Sequence, residues 1–348
     1  MSEKKIIGIL TGGGDAPGLN AVIRGIVYAG KQKGYKIYGF YEGWRGILDK
    51  NYEELNIKKV EGIHTRGGTI LGSSRTNIYK RENGPETVKK NFKDLGLHAL
   101  IAVGGEDTLG VANKLFKGGL NVVGVPKTID NDVNATDYTF GFDTAINRVA
   151  ETLSWLHTTT ESHRRVMVVE VMGRHAGWIT LHGGLAGGAH FILIPEEPFD
   201  TDELCKKILK RHKNHNYTIV AVAEGAEDPG LRRHIMHAAE TDDFGHVQLG
   251  TGIGICEVLK NEIEDRTKLE TRHLVLGHLQ RGGRPSAFDI VLGTRYGVRV
   301  IDLIDEGGFG KMVALRESKI KFVELEEGVG ELKTVPKKEY DLAKLFFG

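Results

Sequence analysis

Two apolar runs, residues 98–103 and 121–125, stop abruptly at glycine or proline and give way at once to polar and acidic side chains. The first continues as Gly104-Gly105-Glu106-Asp107-Thr108, the second as Pro126-Lys127-Thr128-Ile129-Asp130-Asn131-Asp132. An apolar run this short and unbroken suits a strand buried on both faces, the kind found in parallel sheets covered by helices. The carboxyl ends of such strands are where open α/β folds present their ligand loops. Two adjacent strand ends would gather Glu106, Asp107, Lys127, Thr128, Asp130 and Asp132 in one crevice. Carboxylates, a lysine and a hydroxyl among glycines suit a metal-bound polyphosphate beside a base.

The same alternation runs through most of the chain. Strands are expected at 5–10, 35–41, 98–103, 121–125, 165–171, 191–194 and 217–223, and helices at 18–33, 108–116, 142–157, 178–186 and 201–212. The expected fold is therefore α/β, with two doubly wound, mainly parallel-sheet lobes and a cleft between them. The first lobe should span 1–141 and resume at about 279–325. The second should span 142–278, with the tail from about 326 to 348. The charged, irregular stretch 229–243 is expected at the surface. At 348 residues with a formal net charge of +1, the chain is long enough for such a core and too neutral to coat a polyanion, so no nucleic-acid partner is expected. Two distant cysteines without CxxC spacing fit a reducing cytoplasm, and no export or membrane segment is read from the N-terminal residues.

Thr11-Gly12-Gly13-Gly14-Asp15-Ala16-Pro17-Gly18 lies between the first strand and first helix, where glycines let backbone N–H groups approach an anion. A ligand-free tight turn would look similar. No Gly-Lys-Ser/Thr follows, and the spacing misses the dinucleotide fingerprint. Residues 66–75, Arg-Gly-Gly-Thr-Ile-Leu-Gly-Ser-Ser-Arg, form a second such loop, either flexible surface or a phosphate cradle framed by guanidinium forks. Asp130 and Asp132 suit an Asx turn as well as a base and its helper. Glu106 and Asp132 are candidate Mg²⁺ ligands, and Lys127 is an ion-pair partner or a phosphate ligand. Met172-Gly173-Arg174 ends the most apolar strand, and Leu276-Gly277-His278-Leu279-Gln280-Arg281 surrounds a glycine turn.

Taken together, GGGDAPGLN, GGTILGSSR, GGED, PKTIDND, GFDTA, EVMGRHAGW and LGHLQRGG resemble the phosphofructokinase family, in the family's order from residue 11 to 283. The resemblance implies phosphorylation of the C1 hydroxyl of fructose 6-phosphate with Mg²⁺. It implies Asp130 as general base, with Thr128 touching substrate and Asp132 assisting. Glu106 stands where the family usually carries a metal-ligating Asp. Gly13, Gly14, Arg75, Gly105, Asp107, Thr108 and Lys127 fall on donor-phosphate positions. Arg174 matches a substrate contact that steadies transition-state charge. Met172, Gly173, Glu224, His278 and Arg281 match fructose 6-phosphate contacts. Arg165 and Arg272 match arginines reaching the 6-phosphate from a neighbouring subunit, which implies a homodimer or homotetramer.

Family members that use ATP typically carry glycine at the positions of Asp107 and Lys127. A carboxylate at 107 would repel a nucleotide's α-phosphate, and a lysine at 127 would neutralise free pyrophosphate. Asp with Lys is the pattern of the pyrophosphate-dependent branch in its short bacterial form, and pyrophosphate is the expected donor, with ATP as the alternative. Family effector positions hold Tyr28, Ile57, His157 and His215, with Arg24 and Lys213 retained, which implies weak or absent nucleotide regulation. Two other readings stay open: a dinucleotide-binding oxidoreductase, resting on the first glycine loop, and a catalytically dead sugar-phosphate sensor.

Overall fold

The structure is a computed structural model and describes residues 4–231, 243–244 and 254–348. Most of the stretch 229–243, expected at the surface, lies outside the described residues.

The first half of the chain runs β1 (Ile6–Thr11), α1 (Leu19–Gln32), β2 (Lys36–Phe40), α2 (Trp44–Leu48), β3 (Tyr52–Leu55), α3 (Ile57–Val60), α4 (Gly84–Asp94), β4 (Leu97–Gly104), α5 (Glu106–Lys117), β5 (Val122–Pro126) and α6 (Phe142–Ser162). It continues through β6 (Val166–Val171), α7 (Trp178–Ala186), β7 (Phe191–Leu193), α8 (Thr201–His215), β8 (Thr218–Ala223), α9 (Ile255–Thr267) and β9 (Thr271–Val275). The last elements are α10 (Ala287–Asp305), β10 (Lys311–Arg316), β11 (Lys319–Glu324) and α11 (Lys337–Lys344).

These strands form two sheets, ordered β11-β10-β5-β4-β1-β2-β3 and β7-β8-β6-β9. The inner pairings are parallel, and β3 and β11 add antiparallel edges to the larger sheet. The smaller sheet is parallel throughout. Period-two burial explains why the strands read as solid apolar runs. Ile7, Ile9, Ala99, Ile101, Val103, Val123 and Val125 face one core, with residues of α1 and α10. Leu10, Leu100, Ala102 and Val122 face the other, with residues of α2, α4 and α5. Both faces are covered, so no polar face alternates along these strands. Met167, Val169 and Val171 of β6 likewise face one core, while Val166 and Val168 face another.

Register sets the site. Thr11 pairs with Val103 and Gly104 with Pro126, so the loops after β1, β4 and β5 emerge side by side. In the smaller sheet Val171 pairs with Ala223, which delivers Met172–Arg174 and Glu224 together. The tail serves both sheets: Leu332 bridges to Val133, whereas Val335, Tyr340 and Ala343 pack into the core beneath β6. Cys205 and Cys256 are buried free thiols. Among the described residues no helix is long and apolar enough to cross a membrane.

Candidate active site

The two glycine loops meet. Thr11 Oγ1 donates to Gly72 O at 2.8 Å, Gly13 N–H donates to Ser74 O at 3.1 Å, and the Ser73 hydroxyl donates to Gly13 O. Asn20, at the start of α1, fastens both sides of the second loop by donating to Arg66 O at 3.1 Å and accepting from Ile70 N–H at 2.9 Å. Gly12 leaves no room for a side chain, since a Cβ there would lie 2.6 Å from Thr108 Oγ1. Gly13 adopts φ +78°, and a Cβ would lie 3.2 Å from Lys127 Nζ. Glycine here brings loop backbone directly against the lysine and the start of α5. Arg75 stands exposed at the rim.

Lys127 is buried, and its ammonium donates to Gly14 O. Burial first, then the nearby Arg281 guanidinium, push its pKa down to about 8, against the pull of Asp130, Asp15 and Asp132. Arg281, expected among sugar-phosphate contacts, donates to Asp15 O at 3.0 Å and so lies on the first glycine loop. Lys127 and Arg281 thus bring two cations to the first glycine loop, with Asp15, Asp130 and Asp132 near the lysine.

The loop after β5 carries the carboxylates. Asp130 N–H donates to Thr128 Oγ1 at 3.0 Å, and Thr139 Oγ1 donates to Thr128 O at 2.7 Å. Asp130 is buried, and its Oδ1 has no hydrogen-bond partner among the described residues. An orphan buried acceptor is costly, and a substrate hydroxyl would satisfy it. Asp132 is held well above the usual carboxylate range by burial, the Asp130 charge and, more weakly, Glu106. Glu106 opens α5, where Gly105 is the N-cap, and its Oε1 accepts Gly330 N–H at 3.3 Å. Asp107 follows in the first turn, and Thr108 is buried against Gly12. A helix N-terminus steadies both acids.

Across the cleft, Arg174 has φ +45°, unusual for a non-glycine residue. Glu224 holds that turn by accepting Gly173 N–H at 3.3 Å and Arg174 N–H at 3.0 Å. Burial and then the Asp130 charge raise the Glu224 pKa, so the two strand-end loops share one electrostatic field. Met172 N–H donates to Gln280 Oε1 at 3.3 Å, tying in the turn that carries exposed His278. Gln280 lay within a quoted motif, but nothing in the sequence marked it as buried support.

Arg165 and Arg272 stand apart from this cluster. Both grip Glu270 Oε1, at 3.0 and 2.8 Å, beside the edge strand β9. Of the family effector positions, the Arg24 guanidinium stacks 4.5 Å over Tyr28, and His157 makes contacts of 3.3 Å to the Tyr217 hydroxyl and 3.0 Å to Gly187 O.

The donor set suits Mg²⁺. Glu106, Asp130 and Asp132 offer hard carboxylate oxygens, and Asp130 Oδ1 has no hydrogen-bond partner among the described residues. Among the described residues no cluster of three or more acidic, histidine or cysteine side chains is set to hold a cation by itself. Mg²⁺ commonly rides on one or two carboxylates plus substrate phosphates, which this geometry allows.

Comparison with known proteins places this arrangement. The phosphofructokinase family matches residues 6–304. The pyrophosphate--fructose 6-phosphate 1-phosphotransferase of Amycolatopsis methanolica is 54% identical over 343 residues, covering 98% of this chain and 99% of the relative. The ATP-dependent 6-phosphofructokinase of Corynebacterium efficiens is 49% identical over 345 residues, covering 98% and 99%. The crystal structure of the pyrophosphate-dependent phosphofructokinase from Nitrosospira multiformis superposes with a TM-score of 0.83 at 24% identity, covering 99% of this chain and 92% of that one, a likeness of fold.

Proposed function

The chain belongs to the phosphofructokinase family, and on that premise we propose that it is a pyrophosphate-dependent 6-phosphofructokinase, transferring phosphoryl from pyrophosphate to the C1 hydroxyl of fructose 6-phosphate. The observation that carries the reading is the meeting of buried Lys127, an Asp130 Oδ1 without a partner among the described residues, and the two acids opening α5. Pyrophosphate lies on Gly13, Gly14, Gly105 and Thr108, with Lys127 and Arg75 supplying positive charge. Asp107, in the first turn of α5, adds a carboxylate that would repel a nucleotide's α-phosphate, which favours bare pyrophosphate over ATP. Sequence relatives with either donor lie close, so the donor reading rests on the charge of this residue.

Fructose 6-phosphate lies against Met172, Gly173, Arg174 and Glu224, with His278 and Arg281 closing over it. Asp130 accepts the C1 proton as the oxygen attacks, Thr128 orients the hydroxyl and Asp132 assists from two residues along the same loop. Arg174 and Lys127 stabilise charge on the transferring group. Mg²⁺, held by Glu106 with Asp132 near, would neutralise phosphate oxygens during transfer. Pyrophosphate and the sugar 1-phosphate ester have similar transfer free energies, so the reaction runs both ways. The donor lobe comprises 1–141 and about 279–325, the acceptor lobe 142–278 and about 326–348.

The Arg165–Glu270–Arg272 group sits beside an edge strand whose Leu274 and Val275 are exposed. This supports a homo-oligomer in which both arginines reach a neighbour's 6-phosphate. Arg24 stacked on Tyr28 and the uncharged contacts of His157 support weak nucleotide regulation. A coupled assay tests the reading: fructose 1,6-bisphosphate should form from fructose 6-phosphate and pyrophosphate, and the reverse reaction should require orthophosphate. Failure in both directions would refute it.

A further inference from the structure

Residues 329–335 carry none of the roles above, yet they touch both sides of the cleft. Gly330 N–H donates to Glu106 Oε1 at 3.3 Å. Leu332 forms an antiparallel bridge with Val133, and Lys333 N–H donates to Asp132 O at 2.9 Å. The Lys333 ammonium then donates to Thr136 O and Asp137 O, each at 2.9 Å, and lies 5.5 Å over the Trp178 ring. On the acceptor side, Trp178 Nε1 donates to Lys333 O at 2.7 Å. Glu196 Oε1 takes Val335 N–H at 2.8 Å and Gly177 N–H at 2.9 Å. Gly177 and Trp178 follow the Arg174 turn directly and open α7.

The loop this segment supports needs outside help. Asn131 and Ala135 both adopt left-handed backbone, at φ +53° and +63°, a conformation that persists only when surroundings impose it. Asp130 has a carboxylate oxygen without a partner among the described residues, so its own side chain does little to fix it. Besides the Thr128–Thr139 and Asn131–Thr139 bonds, its position depends on the backbone of 132–137, which Lys333 fastens at three carbonyls. The same residue is bonded to Trp178, so base loop and arginine turn share one brace.

We infer that residues 329–335 are a positioning strap, anchored by Lys333, that holds the Asp130–Asp132 loop in alignment with the Arg174 turn. Lys333 touches no substrate in this scheme. It acts on turnover by setting the distance between base, hydroxyl and donor, where an error of about 1 Å costs about a hundredfold. The inference rests on the catalytic reading proposed above.

The test is steady-state kinetics of the full chain and of Lys333→Met, which keeps the stem and removes the ammonium. Melting curves confirm that both are folded at the assay temperature. The strap predicts kcat lower by about 10- to 100-fold, with KM for each substrate within about threefold. Trp178→Phe keeps a smaller aromatic ring and removes the Nε1 bond to Lys333 O. It should lower kcat by about three- to tenfold in the same pattern and decides the matter if Lys333→Met does not fold. Unchanged kcat in the folded variants, or a loss confined to KM, overturns the strap. A parent idle with both pyrophosphate and ATP sinks the catalytic reading instead, so the two failures are distinguishable.

Discussion

Lys127→Met should make the free enzyme more stable while disabling it. The lysine is 3% exposed, and its pKa falls from an ordinary 10.5 to about 8, chiefly through burial and then through Arg281. At pH 7 both folded and unfolded chains carry the proton, so the folded state bears the full penalty, about 3 kcal/mol. The sign follows from a depressed lysine: its contribution to stability is complete above the unfolded pKa and lost as pH falls through about 8. Methionine removes the charge and keeps the stem, so the variant should be more stable by up to about 3 kcal/mol at pH 7 and by only about 1 kcal/mol at pH 10. Losing an ammonium that pairs with a buried phosphate should meanwhile cost about 2–5 kcal/mol, or about 30- to 5,000-fold in kcat/KM for pyrophosphate. Chemical denaturation at the two pH values and initial-rate kinetics measure the two effects. A variant less stable than the parent at pH 7, or one within about threefold of its efficiency, would refute the reasoning.

Asp130→Ser should lower kcat by at least about a hundredfold, the scale of a positioned base, while calorimetry finds fructose 6-phosphate binding nearly unchanged. A variant with ordinary turnover would remove Asp130 from the mechanism. In the parent, kcat/KM for pyrophosphate should fall as pH rises through about 8 and Lys127 loses its proton, and Lys127→Met should lack that limb. Arg272→Leu should raise KM for fructose 6-phosphate about tenfold or more, with KM for pyrophosphate within about twofold. Mixed with Asp130→Ser subunits after reversible dissociation, it should regain activity, because one partner supplies the arginine and the other the base. No complementation would confine Arg272 to its own subunit.

The parallel strands were legible because both faces are buried, which leaves long apolar runs ending in glycine or proline, as at Gly104 and Pro126. Element positions agree to within a few residues, although α6 runs on to Ser162 and α5 starts at Glu106, where the acids themselves form its first turn. Strands β3, β9, β10 and β11 escaped notice: β3, β9 and β11 are edge strands that alternate or expose polar residues, as in Thr271-Arg272-His273-Leu274-Val275, whereas β10 is an inner strand whose four-residue apolar run is framed by Lys311 and Arg316. The crevice of Lys127, Asp130, Asp132 and Glu106 was readable from strand ends alone. Arg281 sits nearer the donor loop than its motif suggested, because a long side chain can cross a cleft that its backbone only borders. Lys333 and Glu196 gave no signal, since their work is done through backbone groups far away in sequence.

The central claim is that the carboxylate of Asp107 selects the donor. Two like charges about 4 Å apart near a protein surface repel by about 4 kcal/mol, close to a thousandfold in rate. The direct measurement is kcat/KM for pyrophosphate and for ATP at matched Mg²⁺, on the parent chain and on Asp107→Gly. The account predicts a parent that strongly favours pyrophosphate and a variant whose ATP use rises by orders of magnitude. A parent that turns over ATP alone, or a variant whose donor preference does not move, would contradict it.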